Sequence, residues 1–192
     1  GDCALACAFV SYCGPFNQVF RTLLTRDRFK GDLDEPGIPF TKDLELTTFL
    51  EDAGTIGDWN LQGLPTDPLS IQNGILVTRS SRYPLLIDPQ GQALNWIMNR
   101  ERDNLPPFGA TTLNNPKLRD QLEMAMAEGK AFVIQGVGQE IDPVLDPIFL
   151  KEVIIKAKSK FINVADRLCE FNDKFSLYLT TRLPNPHFSP EE

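Results

Sequence analysis

The residues with the clearest chemical pattern lie between Tyr83 and Ile97, YPLLIDPQGQALNWI. An apolar run leads into a polar loop with one glycine and then into a segment of helical composition, the layout of a strand, a phosphate-binding loop and a helix. A working loop of this kind reads G-x-x-x-x-G-K-[ST]. Its glycines let backbone N–H groups surround the phosphates, its lysine reaches the β- and γ-phosphates, and its hydroxyl holds Mg²⁺.

When this chain is aligned with that pattern, the residues that do the chemistry are replaced by others. Asp88 replaces the first glycine, Ala93 the second, Leu94 the lysine and Asn95 the hydroxyl residue. Gly91 could still let an anion approach the N-terminus of the following helix, but the adjacent carboxylate opposes an anion there. We therefore predict a structural turn. The degenerate loop, predicted to be empty, consists of Asp88, Pro89, Gln90, Gly91, Gln92, Ala93, Leu94 and Asn95.

Nucleotide hydrolysis on such a scaffold needs two further features. One is an acidic pair at the end of the third strand, for Mg²⁺ and water, and the other is a polar sensor at the end of the fourth. After the apolar run 132–134 the chain has Gln135 and Gly136, neither of which binds a hard cation well or acts as a base. Thr180 and Thr181 occupy sensor-like positions, although threonine is common in strands for its shape alone. We predict no catalytic residue.

The remaining reactive side chains form no convincing site. Glu140 and Asp142 lie several residues beyond the acidic-pair position, and a surface turn with a helix cap explains them better than displaced metal ligands do. Cys3 and Cys7 have the i, i+4 spacing of one helix face, but the single histidine, His187, lies at the far end of the sequence. Tetrahedral zinc needs four good ligands. We therefore expect no metal, and no thiol or serine hydrolase centre.

Strands and helices alternate in the second half of the sequence, which predicts an α/β fold with a mainly parallel sheet. The predicted strands are Leu85–Ile87, Ala110–Leu113, Ala131–Ile134 and Phe175–Thr181. Helices are predicted at Ala93–Arg102, after Asn115-Pro116 as far as Gly129, and after Pro147. A weaker pattern predicts a hairpin of Phe161–Val164 and Leu168–Phe171 around Ala165-Asp166-Arg167.

The first part of the chain is predicted to be helical. Apolar runs indicate helices at Ala4–Val10 and Leu44–Leu50, and Asp32–Pro39 has the composition of a connecting loop. Five residues at helical spacing form an apolar stripe that must pack against something: Phe16, Val19, Phe20, Leu23 and Leu24. The Gly63-Leu64-Pro65 turn divides residues 1–63 from residues 64–192, and the next helix is expected to start at Thr66 or Asp67 followed by Pro68.

Composition excludes several classes of function. Acidic residues outnumber basic ones 26 to 19, giving a formal net charge of −7, so the broad positive surface that nucleic-acid binding requires is not expected. No apolar run approaches the ~18 residues of a membrane span, and the N-terminus does not resemble a signal peptide. Three of the four cysteines crowd into one predicted helix, which favours a reducing, cytosolic setting over a disulfide framework.

Five sequence blocks, taken in order and spacing, resemble dynein heavy chains at the passage from the fourth to the fifth AAA+ module of the motor ring. They cover nearly the whole chain, and the WNLQGLP and TTRLPNPHF runs look more like axonemal than cytoplasmic forms. The blocks are GDCALACAFVSYCGPF (1–16), IGDWNLQGLPTDPLSIQNGILV (56–77), RYPLLIDPQGQ (82–92), EIDPVLDP (140–147) and LTTRLPNPHFSPE (179–191).

The resemblance implies a fold and a position. Residues 1–63 would be the helical end of the fourth module's small subdomain, following the microtubule-binding stalk. Residues 64–192 would be the large subdomain of the fifth module, a three-layer α/β domain of the P-loop NTPase type with a degenerate phosphate loop. The expected final strand and lid are missing, so the resemblance also implies a fragment of a longer polypeptide.

It further implies a structural, force-transmitting module in an ATP-driven microtubule motor. The parent heavy chain would be an ATPase, this segment would not hydrolyse ATP, and ATP and Mg²⁺ would bind in other modules. Expected partners are the neighbouring AAA+ modules and stalk of the same chain. Intermediate and light chains, and the microtubule itself, would be reached only through the parent. The expected location is the cytoplasm and cytoskeleton, specifically the axoneme of a cilium or flagellum.

Three alternatives remain open. The module could bind ATP or ADP for regulation without hydrolysis. It could be a nucleotide-dependent enzyme with an unorthodox loop, against which Leu94, Gln135 and Gly136 count together. It could also be a free-standing adaptor with half of an AAA+-like fold, although an uncovered edge strand would be a liability for an independent protein.

Overall fold

The computed structural model describes residues 1–184, which form two compact units: a helical unit of residues 1–81 and an α/β unit from Arg82 onward. His187 and the end of the last sequence block lie outside the described residues. The predicted boundary at Gly63-Leu64-Pro65 falls inside the first unit. That boundary was predicted to separate two modules of a longer chain. The division into compact units does not test to which module a residue belongs, so the boundary stays a prediction.

The first unit contains six α-helices and one π-helical segment among the described residues. Its elements are α1 (Asp2–Tyr12), α2 (Gln18–Leu23), the π segment (Leu24–Arg28), α3 (Phe29–Asp34), α4 (Leu46–Leu50), α5 (Ala53–Leu61) and α6 (Pro68–Arg79). The side chains of Asn17, Asp52 and Asp67 cap α2, α5 and α6 by accepting an N–H three residues on. The predicted helices around Ala4–Val10 and Leu44–Leu50, and the start at Asp67-Pro68, are confirmed.

Gly74 explains why α6 belongs to this unit. A Cβ at Gly74 would lie only 3.0 Å from the indole of Trp59 and from a methyl of Leu64. Both of those side chains are buried, so the missing side chain lets α6 approach α5 and the turn that follows it. The turn residues predicted to separate two domains therefore pack within one compact unit.

Two features of the first unit differ from expectation. The predicted apolar stripe lies largely on an exposed face of α2, with Val19 80% exposed, and the buried residue of that helix is Arg21. The Arg21 guanidinium donates from Nε to the Cys13 carbonyl and from Nη2 to the Gly14 carbonyl. It thereby ties α2 to the carbonyls that follow α1, of which the Cys13 carbonyl also accepts the N–H of Phe16 at 3.2 Å. The predicted loop at Asp32–Pro39 is helical as far as Asp34.

The second unit is built on a four-stranded parallel sheet, which confirms the predicted α/β class. Its strands are β1 (Leu85–Ile87), β2 (Ala110–Thr111), β3 (Ala131–Ile134) and β7 (Ser176–Thr181). Across the sheet they follow the order β1-β7-β3-β2. The predicted bounds of β1 and β3 match, while β2 is shorter than predicted and β7 starts one residue later.

Helices lie on both faces of this sheet. Helix α7 (Gln92–Arg100) and helix α8 (Leu118–Glu128) both match predictions, and Gly129 ends α8 in the left-handed conformation expected of a glycine cap. Side chains that alternate along β3 and β7 share one core cluster with α8, namely Phe132, Ile134, Leu177 and Leu179. Tyr178 points to the opposite face, where its hydroxyl donates to Glu101 just after α7.

A second, antiparallel sheet precedes the last parallel strand. Its strands are β4 (Ile154–Lys156), β5 (Ser159–Val164) and β6 (Arg167–Glu170), in the order β4-β5-β6. The predicted hairpin is confirmed as β5 and β6, whereas β4 was not predicted. The helix expected after Pro147 is short: a 3-10 turn (Pro143–Leu145) leads into α9 (Asp146–Phe149). One face of β5 and β6 joins the core beside α8.

Candidate functional site

The candidate site lies at the carboxyl edge of the parallel sheet, where β1, β7 and β3 end side by side. Ile87 pairs with Thr181, and Ile134 pairs with Leu179. Because parallel strands end at a common edge, the structure brings together the degenerate loop, the sensor-like threonines and the degenerate acidic-pair position.

The loop between β1 and α7 keeps the shape of a strand-to-helix turn. Gly91 is the N-cap of α7 with φ 77° and ψ 13°, a left-handed conformation natural for glycine, and open space surrounds the position of a Cβ. The N–H of Gly91 donates to the Asp88 carbonyl at 3.3 Å, and the N–H of Asn95 donates to the Gly91 carbonyl at 3.1 Å. These bonds lead the loop directly into the N-terminus of α7, the kind of position at which backbone N–H groups attract anions.

A carboxylate from the loop itself sits at that helix N-terminus. Asp88 is only 7% exposed, and its Oδ2 accepts the backbone N–H of Leu94 at 2.9 Å. Leu94 is the third residue of α7, so its N–H is one of those without a partner inside the helix. The negative charge also complements the positive end of the helix dipole. An internal anion thus makes the kind of contact that a phosphate oxygen would make.

The threonine hydroxyl at the end of β7 is used in backbone hydrogen bonds. Thr181 is fully buried. Its Oγ1 donates to the Val137 carbonyl at 2.7 Å and accepts the N–H of Leu183 at 3.2 Å. Thr180 is also buried, and its carbonyl accepts the N–H of Val137 at 2.9 Å. The Thr181 side chain therefore fastens β7 to the segment after β3.

Gln135 and Gly136, at the position predicted to lack the acidic pair, are uncharged and follow directly after β3. The N–H of Gln135 donates to the Thr111 carbonyl at 2.8 Å, which extends the pairing of β3 with β2. Gly136 follows with φ 69° and is exposed. Asp142 caps the 3-10 turn by accepting the N–H of Val144 at 3.0 Å, as its predicted capping role requires.

Hydrogen bonds connect all three strand ends. The N–H of Asp88 donates to the Thr181 carbonyl at 2.8 Å, Thr181 is bonded to Val137, and Val137 is bonded to Thr180. Val137 was not among the predicted site residues. Val137 takes part through its backbone N–H and carbonyl. Any residue type has these groups, so the sequence gives no signal for this position.

The far end of α7 is anchored by a polar cluster. The Tyr178 hydroxyl donates to Glu101 Oε1 at 2.9 Å, and Arg100 Nη1 contacts the same oxygen at 2.6 Å and the Tyr178 oxygen at 3.2 Å. Burial raises the pKa of the Tyr178 phenol, and the Glu101 carboxylate raises it further. The helix that follows the loop is therefore held at both ends, by Asp88 and by Tyr178.

No cluster of three histidine, cysteine, aspartate or glutamate side chains suited to a metal occurs within residues 1–184. The Asp88 carboxylate of the loop accepts a hydrogen bond from the Leu94 N–H at the start of α7.

No helix in the described part of the chain is long and apolar enough to cross a membrane.

Comparison with known proteins identifies relatives over the whole sequence. The family model described as ATP-binding dynein motor region matches residues 57–192. The chain is 51% identical over 191 residues to the dynein gamma chain of the flagellar outer arm of Chlamydomonas reinhardtii. It is 46% identical to human dynein axonemal heavy chain 8 and 49% identical to mouse dynein axonemal heavy chain 5. Each match covers 100% of this chain and about 4% of the relative's length.

Proposed function

The chain belongs to the dynein heavy-chain family, and from this premise we propose that residues 64–192 are a structural, force-transmitting AAA+ module whose phosphate loop holds no nucleotide. By the resemblance of its sequence blocks, it is the fifth module of the motor ring, and residues 1–63 close the small subdomain of the fourth. The α/β unit passes load between its neighbours without a nucleotide cycle of its own.

The activity of the whole motor is part of the same proposal, because the chain spans only about 4% of the length of its relatives. The parent is an ATP-driven microtubule motor in which ATP and Mg²⁺ act in other modules. Relatives named as axonemal or flagellar outer-arm chains support a place in the axoneme. Partners are the adjoining modules and stalk, with light and intermediate chains and the microtubule contacted elsewhere on the parent.

The observation that carries the proposal is the Asp88 carboxylate at the N-terminus of α7. Its bond to the Leu94 N–H uses an amide that a phosphate would need, and its charge repels a second anion at the same place. Leu94 supplies no cation in exchange. A nucleotide would therefore have to displace a buried, hydrogen-bonded group while gaining neither the lysine nor the metal contact.

The hydrogen bonds among the strand ends support the mechanical part of the proposal. In a working module the corresponding side chains must be free to contact nucleotide, water or metal. Here the Thr181 hydroxyl joins two backbone segments. A sheet edge tied in this way transmits displacement as a unit, since each strand end is bonded to the next.

A second candidate is regulatory binding of ATP or ADP without hydrolysis. It is favoured by one observation: Gly91 keeps the left-handed conformation and the open space that close approach of an anion requires. The two candidates differ in whether a nucleotide can displace the native Asp88 carboxylate from the N-terminus of α7.

Calorimetric titration of the full 192-residue chain with Mg-ATP and with Mg-ADP separates them. We expect no saturable heat from the native protein. A variant with Ala93→Gly, Leu94→Lys and Gln135→Asp restores the loop glycine, the cation and a metal ligand, and we expect it to bind weakly. Adding Asp88→Gly to this variant removes the internal anion and should tighten binding further.

The matched control is Asp88→Asn in the same triple variant, which keeps an oxygen for the backbone N–H of residue 94 and removes only the charge. If charge is the obstacle, Asn and Gly should restore binding to similar degrees. Saturable binding of micromolar nucleotide by the native chain would overturn the proposal and support the regulatory module instead.

A further inference from the structure

The outermost strand of the second sheet, β4, has an open edge. The order β4-β5-β6 places it at the margin, and no strand within residues 1–184 pairs with its other side. All three of its residues are exposed, Ile154 to 40% and Ile155 to 71%. An exposed apolar edge strand is a template onto which another strand can add.

The adjoining turn determines which backbone groups face that edge. Lys156 lies opposite Ser159, and the two residues between them, Ala157 and Lys158, have φ 49° and 74°, the left-handed values of a type I′ hairpin turn. In an antiparallel hairpin, the two residues that flank a two-residue turn exchange backbone hydrogen bonds. The next pair of opposite residues along the strands does not. The N–H and C=O of Ile155 therefore point away from β5, to the open edge.

The same strand and the turn that follows it carry exposed positive charge in a chain of net charge −7. Residues 151–160, KEVIIKAKSK, contain four lysines and one glutamate. Lys160 is neutralised by Asp173 at 2.6 Å, and the Lys151 ammonium lies 4.7 Å from the centre of the Tyr83 ring. Lys156 and Lys158 are exposed and form no ion pair with any described residue.

Edge lysines can also serve to prevent strand addition, but the neighbours of Lys156 do not fit that role. Ile154 and Ile155 project to opposite faces of the strand, and both are exposed, so an added strand would find an apolar neighbour on each face. Hydrogen bonds to an open edge supply affinity, and the side chains of alternate residues supply specificity.

We propose that the β4 edge docks an extended, acidic segment of a partner protein as a fourth strand. Apolar residues of that segment lie beside Ile154 and Ile155, and its carboxylates meet Lys156 and Lys158. Nucleic acid does not fit, since the hydrogen-bonding groups of the edge match a peptide backbone and the chain is acidic overall. This docking site lies on a different element from the phosphate loop and does not depend on its state.

The test uses the full chain and a fluorescein-labelled synthetic peptide in which two adjacent valines are flanked by glutamates, so that one valine projects to each face of the added strand. Binding is read by fluorescence anisotropy. The control peptide has lysine in place of each glutamate. We expect saturable binding of the acidic peptide and none of the basic one. Amide chemical shifts of the isotope-labelled chain should move at Ile154, Ile155 and Lys156.

Two variants test the geometry and the charge separately. Ile155→Pro removes the N–H that faces the open edge and leaves the pairing of its neighbours with β5, and it should weaken binding about tenfold, the value of one main-chain hydrogen bond. Lys156→Glu leaves the backbone unchanged and should weaken binding comparably. Lys42→Glu, the same charge change in the helical unit, should have no effect. Thermal melts verify that each variant is folded.

Three results would overturn the proposal. Equal binding of the acidic and basic peptides would show that charge does not select the partner. Unchanged binding by both Ile155→Pro and Lys156→Glu would place the peptide elsewhere. Self-association of the native chain without peptide, lost in Ile155→Pro by sedimentation analysis, would make a second copy the occupant of the edge.

Discussion

At the scale of single residues, Asp88 combines burial, charge and a defined hydrogen bond to the Leu94 N–H. We expect Asp88→Ala to lower the free energy of unfolding by about 1–2 kcal/mol, because it leaves that amide without a partner in a buried site. Asp88→Asn keeps an acceptor oxygen and should cost less than half as much. Urea denaturation of the full chain measures both, and equal losses would show that the charge, not the hydrogen bond, matters for stability.

Substitutions of Thr181 distinguish the effect of side-chain shape on stability from the effect of hydrogen bonding. Thr181→Val keeps the branched side chain but removes the donor to the Val137 carbonyl and the acceptor for the Leu183 N–H. We expect a loss of about 1–3 kcal/mol, the cost of leaving buried backbone groups unsatisfied. Thr181→Ser retains the hydroxyl and serves as the control. A Val variant as stable as the native chain would contradict the role given to this side chain.

Asp67, the cap of α6, predicts a dependence of stability on pH. The Ser70 hydroxyl, and after it the Ser70 N–H, lowers the pKa of Asp67 below its ordinary value. The folded state therefore favours the ionised form, so this contribution is complete above the unfolded pKa of about 3.9 and is lost as pH falls through the lower folded pKa. In acid denaturation series, Asp67→Asn should reduce the loss of stability below about pH 4, and an unchanged pH profile would rule out this linkage.

At the scale of elements, the hairpin turns carry local strain. Ala165 and Asp166 join β5 to β6 with φ 50° and 63°, and alanine in the left-handed region costs about 1–2 kcal/mol. Replacing the pair by Asn-Gly, the preferred type I′ sequence, should stabilise the second unit by about 1 kcal/mol. Ala165→Thr, which adds a β-branched side chain, should destabilise it. Thermal melts of the two variants should shift in opposite directions.

The sequence predicts best those elements whose signals are local. The strands Leu85–Ile87 and Ala131–Ile134 are apolar runs bounded by turn residues, and Gly129 is a glycine at the end of a periodic helix, so bounds and cap agree with the structure. The sequence does not predict strand β4, because its three residues show no alternation and its existence depends on pairing with β5.

Features that depend on tertiary packing could not be predicted in the same way. Helical periodicity locates the stripe of α2, but it does not show whether that face is covered, and Arg21 is buried there because it bonds to the end of α1. At the site, the substitutions in the loop were visible from residue types alone. The hydrogen bond from the Leu94 N–H to the Asp88 carboxylate is not visible from residue types, because it depends on how the loop from Asp88 to Gly91 folds.

At the scale of the whole molecule, the proposal that the phosphate loop holds no nucleotide predicts that nucleotide leaves thermal stability unchanged. A ligand that binds only the folded state at about 100 times its dissociation constant would stabilise the chain by about 2.7 kcal/mol. We expect no shift of the melting temperature of the native chain with millimolar Mg-ATP. A shift should appear in the variant that combines Asp88→Gly, Ala93→Gly, Leu94→Lys and Gln135→Asp. A shift in the native chain would contradict the prediction.

The Asp88 carboxylate differs from a bound phosphate in one respect that matters inside a cell. It is covalently part of the chain, so its concentration at the N-terminus of α7 is fixed and does not follow the supply of metabolites. A bound nucleotide is exchanged and hydrolysed, and its occupancy varies with the energy charge of the cell. A helix capped by its own carboxylate keeps the same electrostatic partner during starvation and abundance alike.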